Sequence, residues 1–265
     1  MGQRIVTGII AGSVFLTMLL LGGYWFAGLI YMMAIVALDE YLRIMHLRSS
    51  KSLWIIGLVG LLAIISPWDI QLMTDYFPIE SFIWMLLFSL FIITVFTNNK
   101  IMIDQTALVF LGIIYIGFGF HFIVETRDME PFGLFYTTLI MVCVIVTDTG
   151  AYFSGYLFGK HKLAPHISPK KTMEGALGGL LLSIIAAFLF HLFDQELLSF
   201  LESLILGFVI GVVGQFGDLI QSAYKRVKGV KDSGKLLPGH GGVLDRVDSW
   251  LIVFPFVHLL MLIPK

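Results

Sequence analysis

The sequence predicts an all-α, polytopic integral membrane protein with about nine transmembrane helices. Hydrophobic residues make up 58% of the 265 residues and charged residues only 13%, whereas soluble domains carry about 25% charged residues. A soluble fold of this length could not hide so much apolar surface from water, so lipid must cover part of it. The apolar runs are continuous rather than alternating, which favours helices over the strands of a membrane barrel.

Nine apolar segments meet or approach the roughly 20 residues that a spanning helix needs. The second and third are short, and Gly22 and Gly23 separate the first two by a tight hairpin or a kink. We interpret the chain, 1–265, as a single membrane domain with mainly scaffold helices in 1–130 and a catalytic region in 140–250. The segments are roughly 5–21, 24–38, 53–66, 82–97, 106–124, 133–158, 175–193, 203–224 and 247–263.

The distribution of basic residues predicts the orientation, because cytoplasmic loops carry an excess of Lys and Arg. With the N-terminus inside, 15 of the 17 basic residues fall in inside connections, and only Arg127 and Lys265 lie outside. Acids such as Asp69, Asp75 and Glu196 fall outside. Charged residues alternating with apolar ones also predict an interfacial amphipathic helix over 39–52.

Two polar stretches follow residue 140. Asp148 lies inside an apolar run, where an ionisable residue is costly and faces either a polar cavity or a partner in a structural ion pair. Ser168 and Pro169 have the residue types of a helix N-cap and first helical position. Lys170 and Lys171 would then oppose the helix dipole, which indicates either a bound phosphate or a simple positive-inside signal.

The strongest signal lies between residues 215 and 249. Asp218 and Ser222 are four residues apart on a predicted helix and therefore share a face. Gly207, Gly211 and Gly214 make one side of that helix thin enough for a neighbour to approach closely. A basic, glycine-rich loop follows, and its backbone N–H groups are of the kind that bind phosphate.

Asp245 and Asp248 are three residues apart at the start of the last apolar segment, so they also share a face. With Asp218 they form a carboxylate cluster flanked by cations. Mg²⁺ takes one or two carboxylates plus substrate phosphates, and Lys or Arg stabilises charge on phosphate oxygens. A basic loop that only contacts lipid headgroups would account for the cations but not for three acids near the membrane boundary.

The segment 222–248 resembles the signature of the phosphatidate cytidylyltransferase (CDP-diacylglycerol synthase) family. Its residues are SAYKRVKGVKDSGKLLPGHGGVLDRVD, and the fixed positions of the signature are matched. The stretches 148–152 and 168–175 also resemble that family, so the likeness is close over 140–250.

The resemblance implies a nucleotidyltransferase that joins CTP and phosphatidic acid into CDP-diacylglycerol and releases pyrophosphate. It implies Mg²⁺ as cofactor, a monovalent cation such as K⁺, a homodimer and no nucleic-acid partner. The expected location is a bacterial inner (plasma) membrane with the active site on the cytoplasmic side. The alternatives are a CTP-dependent lipid (polyprenol) kinase and an ion or solute transporter with Asp148 and Asp218 as intramembrane sites.

Under this interpretation the lipid phosphate is already an anion, so it attacks the α-phosphorus of CTP without a strong base. Lys170 and Lys171 would hold either the lipid phosphate or the triphosphate, and His240 would either donate to a phosphate or serve the turn. The expected metal ligands are Asp218, Asp245 and Asp248, which are also expected to be catalytic together with Lys225, Arg226 and Arg246. The expected substrate-binding residues are Asp148, Ser168, Lys170, Lys171, Thr172, Glu174, Ser222, Lys231, Asp232, His240, Gly241 and Gly242.

Overall fold

The computed structural model describes residues 2–66, 78–234, 236, 239 and 241–264, with side chains from residue 6 onward. Helices dominate this part of the chain, and a single small antiparallel hairpin, β1–β2, accompanies them. The elements are α1 (Gly2–Leu21), α2 (Gly23–Ile44), α3 (Lys51–Ile65), α4 (Ile79–Phe96), α5 (Ile103–Asp128), α6 (Gly133–Phe158), β1 (Lys162–Ala164), β2 (Ser168–Thr172), α7 (Met173–Phe193), α8 (Phe200–Val227), α9 (Leu244–Val247) and α10 (Trp250–Leu259).

The helices confirm an all-α, polytopic membrane protein. Within the described residues, six helices are long and apolar enough to cross a membrane, namely α2 and α4 to α8. The remaining predicted segments contain shorter apolar helical stretches, namely Val6–Leu21 of α1, and helices α3 and α10. The number of helices that span the bilayer stays a prediction.

The chain divides into two compact units. The first comprises Met1–Glu125 and Asp232–Leu244, and its core includes the fully buried α2 side chains Phe26 and Ile30. The second comprises Thr126–Lys231 and Asp245–Lys265. The interpretation as one domain with scaffold helices in 1–130 and a catalytic region in 140–250 stays a prediction.

Close helix packing builds the second unit. A Cβ placed on Gly207 of α8 would lie 2.7 Å from the Cα of Ile184 in α7, and one on Gly211 would lie 3.2 Å from the Cα of Leu180. These contacts confirm that the glycine side of α8 admits a neighbouring helix. Gln215 adds a polar link, because its Nε2 donates to the carbonyl oxygen of Ala176 at 3.1 Å.

The predicted interfacial helix over 39–52 is wrong. Helix α2 continues to Ile44, the chain turns through residues 45–50 with His46 at a φ of 62°, and α3 begins at Lys51. Asp39 does not interrupt α2, because Arg43 and Arg48 pair with its two carboxylate oxygens at 2.7 and 2.6 Å. Glu40, on the next position, is buried.

The predicted helix start at Ser168 and Pro169 is also wrong. Residues 168–172 form β2, which pairs with β1 in the register Lys162 to Thr172 and Ala164 to Ser168. A two-stranded hairpin tolerates Pro169 because an edge strand can spare one N–H donor. Helix α7 begins instead at Met173, and the Thr172 hydroxyl accepts the N–H of Gly175 as its N-cap.

Candidate active site

The C-terminal end of α8 carries an ordered row of polar side chains. The Ser222 hydroxyl donates to Oδ1 of Asp218 at 3.2 Å, which confirms that these two residues share a face. One turn further on, the Lys225 ammonium donates to Oε1 of Gln221 at 3.0 Å. Gln221 is buried, and sequence reasoning missed it although its i, i+4 spacing to Lys225 was visible.

Lys225 also forms an ion pair with Asp245, with 2.8 Å between Nζ and Oδ1. The exposed fractions of the two side chains are only 12% and 9%. Attraction between opposite charges is much stronger in such surroundings than in water. Asp245 is therefore already paired with a cation before any metal or substrate is considered.

The β-hairpin brings a second cation to α8. The Lys171 ammonium on β2 lies 2.7 Å from Oδ2 of Asp218, and Nε of Arg226 donates to the carbonyl oxygen of Ile167 in the hairpin turn. The polar stretch around residue 170 and the end of α8 therefore meet within the second unit. Successive side chains on a strand point to opposite sides, so Lys170 does not share this contact with Lys171.

Glu174 holds the hairpin in place. Its carboxylate accepts the backbone N–H groups of Lys160 and His161 at 3.0 and 3.2 Å, and it lies 2.6 Å from Nδ1 of His161. Thr172 is likewise occupied as the N-cap of α7. Glu174 and Thr172 were both expected to bind substrate. The contacts that they make here instead fix the hairpin β1–β2 and the start of α7.

Asp248 lies in the turn between α9 and α10 rather than inside the last helix. The prediction that it shares a helical face with Asp245 is therefore wrong. This turn packs directly on α8, where a Cβ on Gly217 would lie 2.9 Å from the carbonyl oxygen of Asp248. Burial, together with the nearby carboxylates of Asp218 and Asp148, raises the pKa of Asp248 to about 7. The Asp148 carboxylate also interacts electrostatically with the charges of Asp218 and Lys171.

The three carboxylates of Asp148, Asp218 and Asp248 therefore repel one another, and a cation would relieve that repulsion. Within the described part of the chain, no three Asp, Glu, His or Cys side chains stand close enough to form a complete metal site. Mg²⁺ does not need one, because one or two carboxylates plus substrate phosphates are its usual protein site. Asp218 and Asp248 fit that requirement.

The remaining expected site residues have less defined surroundings. Arg246, Lys231 and Asp232 are exposed, and Ser168 is half-buried in β2. Gly241 adopts a φ of 86°, as a tight turn requires, and Gly242 is buried; both belong to the first unit. His240 lies outside the described residues.

The fold and the site define an integral membrane protein whose acidic and basic side chains gather around the end of one helix. The family model described as "Cytidylyltransferase family" matches residues 2–263, so the chain belongs to the cytidylyltransferase family.

Curated relatives match over nearly the full chain. A protein of Bacillus subtilis (strain 168) named phosphatidate cytidylyltransferase is 40% identical in an alignment of 268 positions, which covers 98% of this chain and 97% of that protein. Proteins of the same name from Staphylococcus saprophyticus and Staphylococcus epidermidis are 40% and 37% identical, and each alignment covers 99% of both chains.

Proposed function

We propose that the protein catalyses the reaction of CTP with phosphatidic acid to give CDP-diacylglycerol and pyrophosphate. The observation that carries this proposal is the cluster at the end of α8, where Lys171 and Lys225 stand among the carboxylates of Asp148, Asp218 and Asp245. Membership of the cytidylyltransferase family and full-length relatives named phosphatidate cytidylyltransferase support the same reaction.

In the proposed mechanism an oxygen of the lipid phosphate forms a bond to the α-phosphorus of CTP. The bond from that phosphorus to the oxygen bridging the α and β positions breaks, and pyrophosphate leaves with the electron pair. The lipid phosphate is already ionised near neutral pH, so no residue has to remove a proton. The main obstacle is repulsion between two polyanions, which Lys171 and Lys225 reduce by placing ammonium groups beside them.

We propose that Asp218 and Asp248 hold Mg²⁺. When bound, Mg²⁺ supplies positive charge to the phosphate oxygens of CTP and orients them. Asp218 then has two tasks, because it also anchors Lys171 at 2.7 Å. Asp245 serves to fix Lys225, although it was expected to ligate the metal as well.

Four further proposals rest on the family resemblance and on the charge pattern of the loops. A monovalent cation such as K⁺ assists the reaction, and the working form is a homodimer. The protein resides in the inner (plasma) membrane of a bacterium. The active site faces the cytoplasm, which is where the excess of Lys and Arg in the loops would place it.

CTP labelled at either the α or the γ phosphate tests the reaction class. Purified protein receives phosphatidic acid and Mg²⁺, and label is followed into the lipid phase. Label is expected from the α position only, because CMP joins the lipid. Label from the γ position would make the protein a lipid kinase that releases CDP, and no label from either position would favour a transporter.

The two neighbouring lysines of β2 provide a matched pair of variants. Lys171→Met is expected to lower kcat/KM at least about tenfold, since it removes the cation beside Asp218, whereas Lys170→Met is expected to change it less than about threefold. Initial rates with CTP and phosphatidic acid measure both. Equal losses in the two variants would contradict the assignment of Lys171 to the site.

A further inference from the structure

Glu40 is a buried acid near the end of the apolar helix α2. Its exposed fraction is 3%, and among the described residues no ion pair involves it. Burying a carboxylate lowers the stability of the folded state unless hydrogen-bond donors surround the carboxylate. The donors to Glu40 come from the other end of the sequence, within the same structural unit.

Three donors converge on this carboxylate. Oε1 accepts the backbone N–H of Val243 at 3.1 Å, and Oε2 accepts the backbone N–H of Leu244 at 2.9 Å. The Ser233 hydroxyl also donates to Oε2 at 2.9 Å. Hydrogen bonds to a charged acceptor are roughly twice as strong as neutral ones, so these contacts hold both chain segments firmly.

Two glycines lie so close to the same carboxylate that neither position has room for a side chain. A Cβ on Gly234 or on Gly242 would collide with the Glu40 oxygens. These glycines, Ser233, Val243 and Leu244 all lie within the segment 222–248 that resembles the family signature. Their common partner lies about 200 positions earlier, outside the signature.

We infer that Glu40 is a positioning residue that holds the two described ends of the glycine-rich loop, 233–234 and 242–244, together. The inference rests on the proposed function, because it assigns to Gly241 and Gly242 a part in binding the triphosphate of CTP. Leu244, whose amide Glu40 holds, begins α9 and directly precedes Asp245 in the chain.

A carboxylate is required at this position because both of its oxygens accept from backbone N–H groups. In a Glu40→Gln variant, one amide orientation places NH₂ against the N–H of Val243, and the other places it against the N–H of Leu244. Either way one buried backbone donor loses its acceptor. Leaving a buried donor unsatisfied has a larger effect than losing one hydrogen bond.

The test compares Glu40→Gln with Asp39→Asn, the adjacent acid, whose partners are the more exposed Arg43 and Arg48. Glu40→Gln is expected to raise the KM for CTP about tenfold and to leave the KM for phosphatidic acid within about twofold. Hydrogen exchange should accelerate in peptides covering 233–246 and stay unchanged in α3 to α5. Asp39→Asn should match the wild-type protein in both measurements.

Ser233→Ala provides a milder second variant, which removes one of the three donors without stranding a backbone amide. It should change exchange and KM for CTP in the same direction, by a smaller factor. Wild-type kinetics in Glu40→Gln despite faster exchange would overturn the inference, as would exchange that accelerates throughout the first unit. Should Glu40→Gln fail to fold, unchanged exchange and kinetics in Ser233→Ala would overturn it.

A failure of the proposed function can be distinguished from a failure of the inference about Glu40. If the wild-type protein formed no CDP-diacylglycerol from CTP, that reaction would be excluded. The exchange comparison between wild-type protein and Glu40→Gln would still confirm or overturn the anchoring of the loop.

Discussion

Replacing Asp218 or Asp248 with asparagine is expected to reduce turnover at least about a hundredfold. Both substitutions preserve the size of the side chain and remove a negative charge from the cluster proposed to hold Mg²⁺. Asp218→Asn has a second effect, because it also removes the partner of the Lys171 ammonium. Initial rates over a range of Mg²⁺ concentrations measure the loss, and the Mg²⁺ needed for half-maximal rate should rise in any residual activity.

Glu202→Gln is a suitable control for these variants, since Glu202 lies on the same helix as Asp218 but in its first turn. Its carboxylate completes a capping box with Ser199, so a modest loss of stability and near-normal rates are expected. Near-normal turnover in both Asp218→Asn and Asp248→Asn would remove these residues from the metal site.

Lys225→Met is expected to destabilise the protein by about 3–5 kcal/mol, because it removes the ammonium group that forms an ion pair with the buried Asp245 carboxylate. The double variant Lys225→Met/Asp245→Asn should regain most of that stability, since it removes both charges. It should remain inactive, however, because the Lys225 ammonium group no longer stands beside the phosphates. Thermal unfolding in detergent and initial rates, measured on the same preparations, separate these two roles.

The control for this pair is Lys228→Met, which changes a lysine at the C-cap of the same helix. Little change in thermal unfolding is expected there, because Lys228 is half-buried and, among the described residues, takes part in no ion pair. A double variant as unstable as Lys225→Met alone would show that the two side chains do not act as a pair. Full turnover in the double variant would exclude Lys225 from catalysis.

Much of the fold followed from local patterns in the sequence. Continuous apolar runs of the length of a bilayer predicted the helices, because lipid forces the backbone to satisfy its hydrogen bonds within each segment. The shared face of Asp218 and Ser222 followed from helical periodicity alone, and the structure confirms it with a hydrogen bond. The wrong predictions concern short polar segments, namely the interfacial helix over 39–52, the helix start at Ser168 and the helical position of Asp248.

The sequence by itself determined the class of fold, the polar residues that gather late in the chain and the likeness to the cytidylyltransferases. Only the tertiary structure decided which of those residues meet. Lys171 pairs with Asp218 because β2 folds back on β1, and Lys225 pairs with Asp245 because the chain returns to α8. Glu40 reaches Ser233 across 193 positions of sequence. Periodicity is a property of neighbouring residues, whereas these contacts depend on the packing of helices whose order along the chain does not specify their neighbours.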